Sequence, residues 1–208
     1  MVLGTTLGAA FNMSNSASRL ITLQEIRQIT AAEGEYWGYP HVRRVLALAE
    51  RIGEGLAYDA EAFAYAVYLH DWGAFPRWLQ AGVDHALRSR QVAEQEILPF
   101  TALSPKQAAE VLEAVERHDF RDVRPVTTTL ALLLREADWL DMLGVIGIAR
   151  ELAWGPNNLP AVVERIKTRR RVIPLRLTLP AAQALAMPRA AEMDRWLEQL
   201  EAEGFGFL

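Results

Sequence analysis

From about Thr22 to its end, the chain places apolar residues at the three-, four- and seven-residue spacing of amphipathic helices. Strand-like alternation surfaces only briefly, around Arg171 to Leu177. Such a chain buries its apolar stripes by packing helix on helix, so the expected fold class is all-α. A length of 208 residues suits one compact domain with a sizeable core. No internal repeat or low-complexity linker divides it. Residues 1–21, interrupted by Gly4, Gly8, Asn12 and Asn15, read as a flexible lead-in, and residues 22–208 as the helical domain.

Caps and breakers set the helices. Thr22 followed by Glu25 has the spacing of a capping box and opens a helix to about Glu35. A second helix begins near Pro40, carries Val45, Leu48 and Ile52 on one face, and stops at Gly53 and Gly55. A third, from about Asp59, carries Phe63, Ala66 and Val67 and ends on His70-Asp71, ahead of Gly73 and Pro76. Further helices are expected over Asp84 to Leu98, Ser104 to His118 and Thr127 to Leu152, the last broken around Gly144 and Gly147, and near Arg189 to Glu203. Gly155 to Pro160 and Pro174 to Pro180 read as turns.

The function classes narrow next. Hydrophobic residues at 51% and charged residues at 23% describe a globular protein. A formal charge of -4 gives no general attraction to nucleic acid or anionic membranes. Met1 to Ser18 has no basic start and does not resemble a secretory signal, and no run of about eighteen apolar residues suggests a membrane span. The absence of cysteine removes disulfides, thiolate metal sites and cysteine nucleophiles, and agrees with a cytoplasmic location. Any metal chemistry must rest on histidine and carboxylates.

Several ionisable residues share a face with the apolar stripes. His41 aligns with Val45 and Leu48, and His70 with Phe63, Ala66 and Val67. His118 aligns with Val111, Ala114 and Val115, and Asp138 with Ala131, Leu134 and Asp141. Any one of them alone reads as a hydrogen-bonded core residue. Together they need a common partner, because buried imidazoles and carboxylates are costly unless paired or metal-bound. Adjacent helical residues point roughly 100° apart, so His70 and Asp71 converge on one ion only where a helix ends, and Gly73 supplies that end.

His41 with Arg44-Val45, then Leu69-His70-Asp71-Trp72-Gly73, then Ala137-Asp138-Trp139-Leu140-Asp141 resembles the H…HD…D signature of the HD superfamily of metal-dependent phosphohydrolases. The stretch EADWLDMLGVIGIAR, Glu136 to Arg150, is similar to the small bacterial HD hydrolases. The resemblance covers Trp37 to Glu203 and departs from the family at Trp72 and Glu136. It implies a compact helical HD bundle in which His41, His70, Asp71 and Asp138 ligate one divalent cation, with Mn the first choice and Mg, Fe, Co, Ni or Zn admissible.

The resemblance further implies hydrolysis of phosphate or pyrophosphate bonds in nucleotides or similar small phosphoesters. Asp71 would orient the water, and His118 would either ligate or contact the reacting group. His118 and His85 stand in the order of a longer H…HD…H…H…D signature that holds two metals, although His85 also reads as a capping or surface residue. Arg44, one turn from His41, suits a substrate phosphate or an internal salt bridge equally, and Arg135 is a weaker candidate. Trp72, Phe75, Arg77 and Trp78 suit either a nucleotide or plain packing. Arg165, Lys167, Arg169, Arg170 and Arg171 read as a solvated face, with a polyphosphate or nucleic acid as the alternative. A di-iron oxygenase and a non-catalytic nucleotide-sensing module are the competing functions.

Overall fold

The computed structural model describes residues 20–34, 36–155 and 157–206. Most of the lead-in, residues 1–19, lies outside them. Its last residue is tied down: Ile21 donates its N–H to Phe100 O at 2.5 Å and accepts from the Tyr65 hydroxyl.

Among the described residues there is no strand. The helices are α1 (Leu23–Glu33), α2 (Gly38–Ile52), α3 (Ala60–Leu69), α4 (His85–Val92), α5 (Pro105–Arg117), α6 (Thr129–Asp141), α7 (Gly144–Trp154), α8 (Leu159–Arg176) and α9 (Pro180–Gly204). The Thr22 capping box is present, and Ser104 with Gln107 forms a second at the start of α5. A short 3-10 turn, Trp72–Ala74, follows α3, and α4 runs on through a π turn, Ala93–Ile97, into the 3-10 turn Leu98–Phe100.

α6 is the axis of the fold. α2, α3, α5 and α9 pack on it, and from Leu130 to Asp141 only Leu132 escapes full burial. The sequence of this helix nevertheless contains Arg135, Glu136, Asp138 and Asp141, each of which must find partners away from water. Arg135 donates to Arg117 O and Arg124 O, which secures the end of α5. Glu136 accepts from Thr178 N, Thr178 Oγ1 and Leu179 N, fixing the turn between α8 and α9. Asp138 and Asp141 face α2, where His41 meets both.

Three expectations need correction. The alternation at Arg171 to Leu177 is the end of α8 and its cap residue, not a strand, because Ile166 and Ile173, seven apart, bury one helical face while the arginines cover the others. Pro174, read as the start of a turn, lies in the last turn of α8. α9 begins at Pro180 rather than near Arg189: proline is free of penalty in a first turn, and the alanine-rich stretch after it favours helix. The expected break between α6 and α7 is present and centres on Gly144, whose φ of 72° is left-handed.

The Trp72 to Asp84 loop is packing, not an open aromatic surface. Trp72 and Phe75 are wholly buried, Trp72 stacks on Trp78 with centroids 4.3 Å apart, and Trp72 Nε1 donates to Thr30 Oγ1. Gly73 N donates to Ser89 Oγ at 2.8 Å, locking the end of the His-Asp segment against α4. A Cβ at Gly73 would collide with His85 O and lie 2.6 Å from Ser89 N. Gly73→Ala is therefore expected to cost about 1–3 kcal/mol by forcing α4 outward. The urea midpoint checks this, and an unchanged midpoint would show that α4 is not held there.

Candidate metal centre

Helix ends deliver the histidines. His70 caps the C-terminus of α3 and His118 that of α5, and each folds back to place Nδ1 2.7 Å from the carbonyl three residues earlier, Val67 O and Val115 O. A carbonyl only accepts, so Nδ1–H is the donor in both rings and Nε2 is turned away from the helix, into the cluster. His41, in the first turn of α2, has Nδ1 2.8 Å from Asp141 Oδ2 and so likewise turns Nε2 inward. Metal-ligating histidines are held in this way, with the second ring nitrogen donating to a carbonyl or carboxylate.

The Nε2 atoms converge. His41 Nε2 lies 3.1 Å from His70 Nε2 and 3.1 Å from Asp138 Oδ1. Asp71 Oδ2 is 3.5 Å from His41 Nε2 and 3.4 Å from His70 Nε2. The other oxygen of Asp71 points elsewhere: Oδ1 is 3.6 Å from both His85 Nε2 and His118 Nε2, which are 3.2 Å from each other. Asp71 thus divides its oxygens between two histidine pairs, and His41-His70-Asp71 and Asp71-His85-His118 are each compact enough to hold an ion. His85, at the start of α4, lies in the cluster rather than on an open surface, and burial together with the charge of His118 pushes its pKa down toward the neutral, ligating form. A third compact group, Asp84, His85 and Asp119, sits nearer solvent.

Burial alone would raise the Asp71 and Asp138 carboxyls, but the surrounding histidines hold Asp71 well below the usual range and Asp138 below it. Both are carboxylates. The donor set fits a metal on one decisive observation: Asp138 Oδ2 is buried without any hydrogen-bond partner. Its three charged neighbours on α6 are satisfied by protein, and an anionic oxygen left bare among imidazole Nε2 atoms is what a cation would complete.

Behind the cluster, Asp141 gathers His41 Nδ1, Arg44 Nε at 2.7 Å, Arg44 Nη2 at 2.9 Å and Arg150 Nη1 at 2.7 Å. Arg44 is thus engaged in a bidentate salt bridge, about a third exposed, and a substrate phosphate would meet only its remaining nitrogen. Asp141 and Arg150 belong to the Glu136 to Arg150 stretch, yet the sequence assigned them no role; the clue was that Asp141 shares the face of Asp138 one turn away. The basic run is only partly a solvated face: Arg165 and Arg169 pair with Glu151, and Arg170 with Asp194. Arg135, committed to carbonyls, does not face the cluster.

A family model for the HD domain matches residues 38–143, the span that contains His41, His70, Asp71, His85, His118 and Asp138. The chain belongs to the HD-domain family. Solved structures resemble this HD domain over nearly its whole length. A predicted HD superfamily hydrolase from an uncultured Thermotogales bacterium is 25% identical, with 89% of this chain and 94% of that one covered and a TM-score of 0.62. A protein from Lactobacillus plantarum is 19% identical over 88% and 98% of the two chains, with a TM-score of 0.69. YpgQ of Bacillus subtilis, in complex with ADP, is 22% identical over 89% and 99%, with a TM-score of 0.60. The last two likenesses concern the fold. No curated protein matches the chain. Among the described residues of this HD domain no helix is long and apolar enough to cross a membrane.

Proposed function

We propose that the chain is a metal-dependent phosphohydrolase acting on phosphate or pyrophosphate bonds of nucleotides or similar small phosphoesters. The observation that carries this reading is the bare Asp138 oxygen beside inward Nε2 atoms and Asp71. His41, His70, Asp71 and Asp138 would hold the cation, with Mn ahead of Mg, Fe, Co, Ni or Zn, since mixed imidazole and carboxylate donors suit all of them. Such a cation, when bound, polarises a phosphoryl oxygen and makes hydroxide available near neutral pH.

The chain's own residues do the rest. Asp71, placed between both histidine pairs, orients the water and accepts its proton. His118, buried with its ring fixed by Val115 O, stands at the Asp71 oxygen on the far side from His41 and contacts the reacting group there. Arg44 steadies Asp141 and offers its remaining nitrogen to the substrate. The ADP held by YpgQ, a protein of the same fold, supports a nucleotide as substrate. The cysteine-free composition agrees with a cytoplasmic setting.

A nucleotide panel assayed for released phosphate and pyrophosphate, with metal counted on the same sample, tests the reading. Mn is expected to support turnover at least as well as Mg. The compact Asp71-His85-His118 group favours one second reading, a di-iron oxygenase. Two irons per chain, oxygen consumption with an organic substrate and no hydrolysis under any cation would replace the first reading by the second.

A further inference from the structure

Among the described residues, two buried side-chain polar atoms lack a hydrogen-bond partner: Asp138 Oδ2 and Arg169 Nε. The first belongs to the metal cluster. The second lies on α8, outside the set of ligands and the residues that orient them. Arg169 pairs through Nη1 with Glu151 Oε1, while the other oxygen of Glu151 takes Arg165 Nε at 2.5 Å. One buried carboxylate therefore serves two guanidiniums, and one positive charge is left over.

That charge sits at the edge of the cluster. The Arg169 guanidinium lies over the ring of Phe120, 5.6 Å from its centroid, and Phe120 directly follows His118-Asp119. Asp138 and Arg150 are among the charges that act on it, together with Glu151 and Arg165. Arg150, the chain neighbour of Glu151, reaches Asp141 beside His41. α7 and α8 thus bring two guanidiniums to the edge of the cluster, Arg150 through Asp141 and Arg169 through Phe120. The Arg169 side chain is only 18% exposed, so water reaches it poorly.

Which edge is left open matters. Arg44 and Arg170 each present Nε and Nη2 together to the two oxygens of an aspartate, the fork that also matches two oxygens of a phosphate. Glu151 takes Arg169 by Nη1 instead, leaving the Nε side unclaimed. Leaving a buried donor without an acceptor is unfavourable, more so on a charged group. No bond within the protein serves either orphan, so each needs a partner from outside. An anion lying between them, with a cation on the Asp138 side, relieves both.

We propose that Arg169 is a phosphate anchor, its Nε–Nη2 edge receiving two non-bridging oxygens of a phosphoryl group in a di- or triphosphate chain held beside Asp138. The inference rests on the phosphohydrolase reading and adds to it the residue that selects for a polyphosphate over a neutral or singly charged ester. Arg150 supplies the second cation, and Glu151 positions Arg169 while keeping its fork free.

Calorimetric titration of the manganese-loaded protein with inorganic pyrophosphate and with non-hydrolysable methylenediphosphonate tests this without reference to turnover. Wild type is expected to bind both. Arg169→Met is expected to bind at least tenfold more weakly at unchanged manganese content, and Arg169→Lys, which keeps the charge but not the fork, to recover only part of that loss. Equal binding by Arg169→Met and wild type would overturn the anchor and leave the phosphohydrolase reading intact. Should Arg169→Met not fold, Arg169→Lys decides, since binding of methylenediphosphonate as tight as wild type would overturn the proposal. A wild-type protein that holds manganese and binds neither ligand would instead bring down the phosphohydrolase reading itself.

Discussion

Asp71→Ala is expected to empty the centre of metal and to lower phosphoester turnover by at least roughly 10²- to 10³-fold, the scale on which removal of a single transition-state contact acts. The size of the effect comes from geometry. Oδ2 faces His41 and His70, and Oδ1 faces His85 and His118, so one side chain serves both histidine pairs. No neighbouring carboxylate takes its place, since Asp138 approaches His41 and Asp119 is engaged by Arg121. Asp71→Asn preserves the volume but removes the charge and one acceptor, and is expected to retain the fold with little metal. Elemental analysis and turnover on the same preparations check both. Wild-type metal content in Asp71→Asn, with turnover within tenfold, would show that Asp71 does not bridge the pairs.

The inward direction of the clustered residues could be read from the sequence because each lies on, or at the end of, a helix whose apolar stripe dictates which way it points. His41, His70, His118 and Asp138 all share faces with residues that prove buried, and the His70-Asp71 pair converges because α3 stops there. Local signals set the helix starts equally well, as at Thr22 and Ser104, where the cap and its partner are three residues apart. What could not be read depends on partners far apart in the chain. Glu136 looked like a variant position near the metal, yet its carboxylate caps a turn 42 residues away. Trp72, Phe75 and Trp78 have the composition of a base-stacking loop, and only the position of α4 and α1 turns them into core. Arg169 looked like one basic residue of five until Glu151 and Phe120 came to lie on either side of it.

The second large effect is expected behind the histidine and aspartate cluster. Asp141 is buried and receives His41, Arg44 and Arg150. Asp141→Ala removes the one anion among them, leaves Arg44 and Arg150 without their carboxylate and releases His41 from its tautomer. Breaking a buried ion pair from one side costs about 3–5 kcal/mol, and losing the partner that orients a metal-ligating histidine lowers metal affinity about 10–100-fold. Acid titration gives an independent reading. Burial would raise the Asp141 carboxyl, but His41 and Arg44 hold it down to about 2, against 3.8 in the unfolded chain. A depressed carboxylate contributes stability that is complete above the unfolded value and is lost as pH falls toward the folded value, a contribution of roughly 2 kcal/mol for a shift of this size. The stability gap between wild type and Asp141→Asn, measured in urea, should therefore be widest above about pH 5 and narrow by roughly 2 kcal/mol as pH falls to about 2. A gap of constant width across that range would mean that the carboxylate does not hold His41 and the two arginines through its charge.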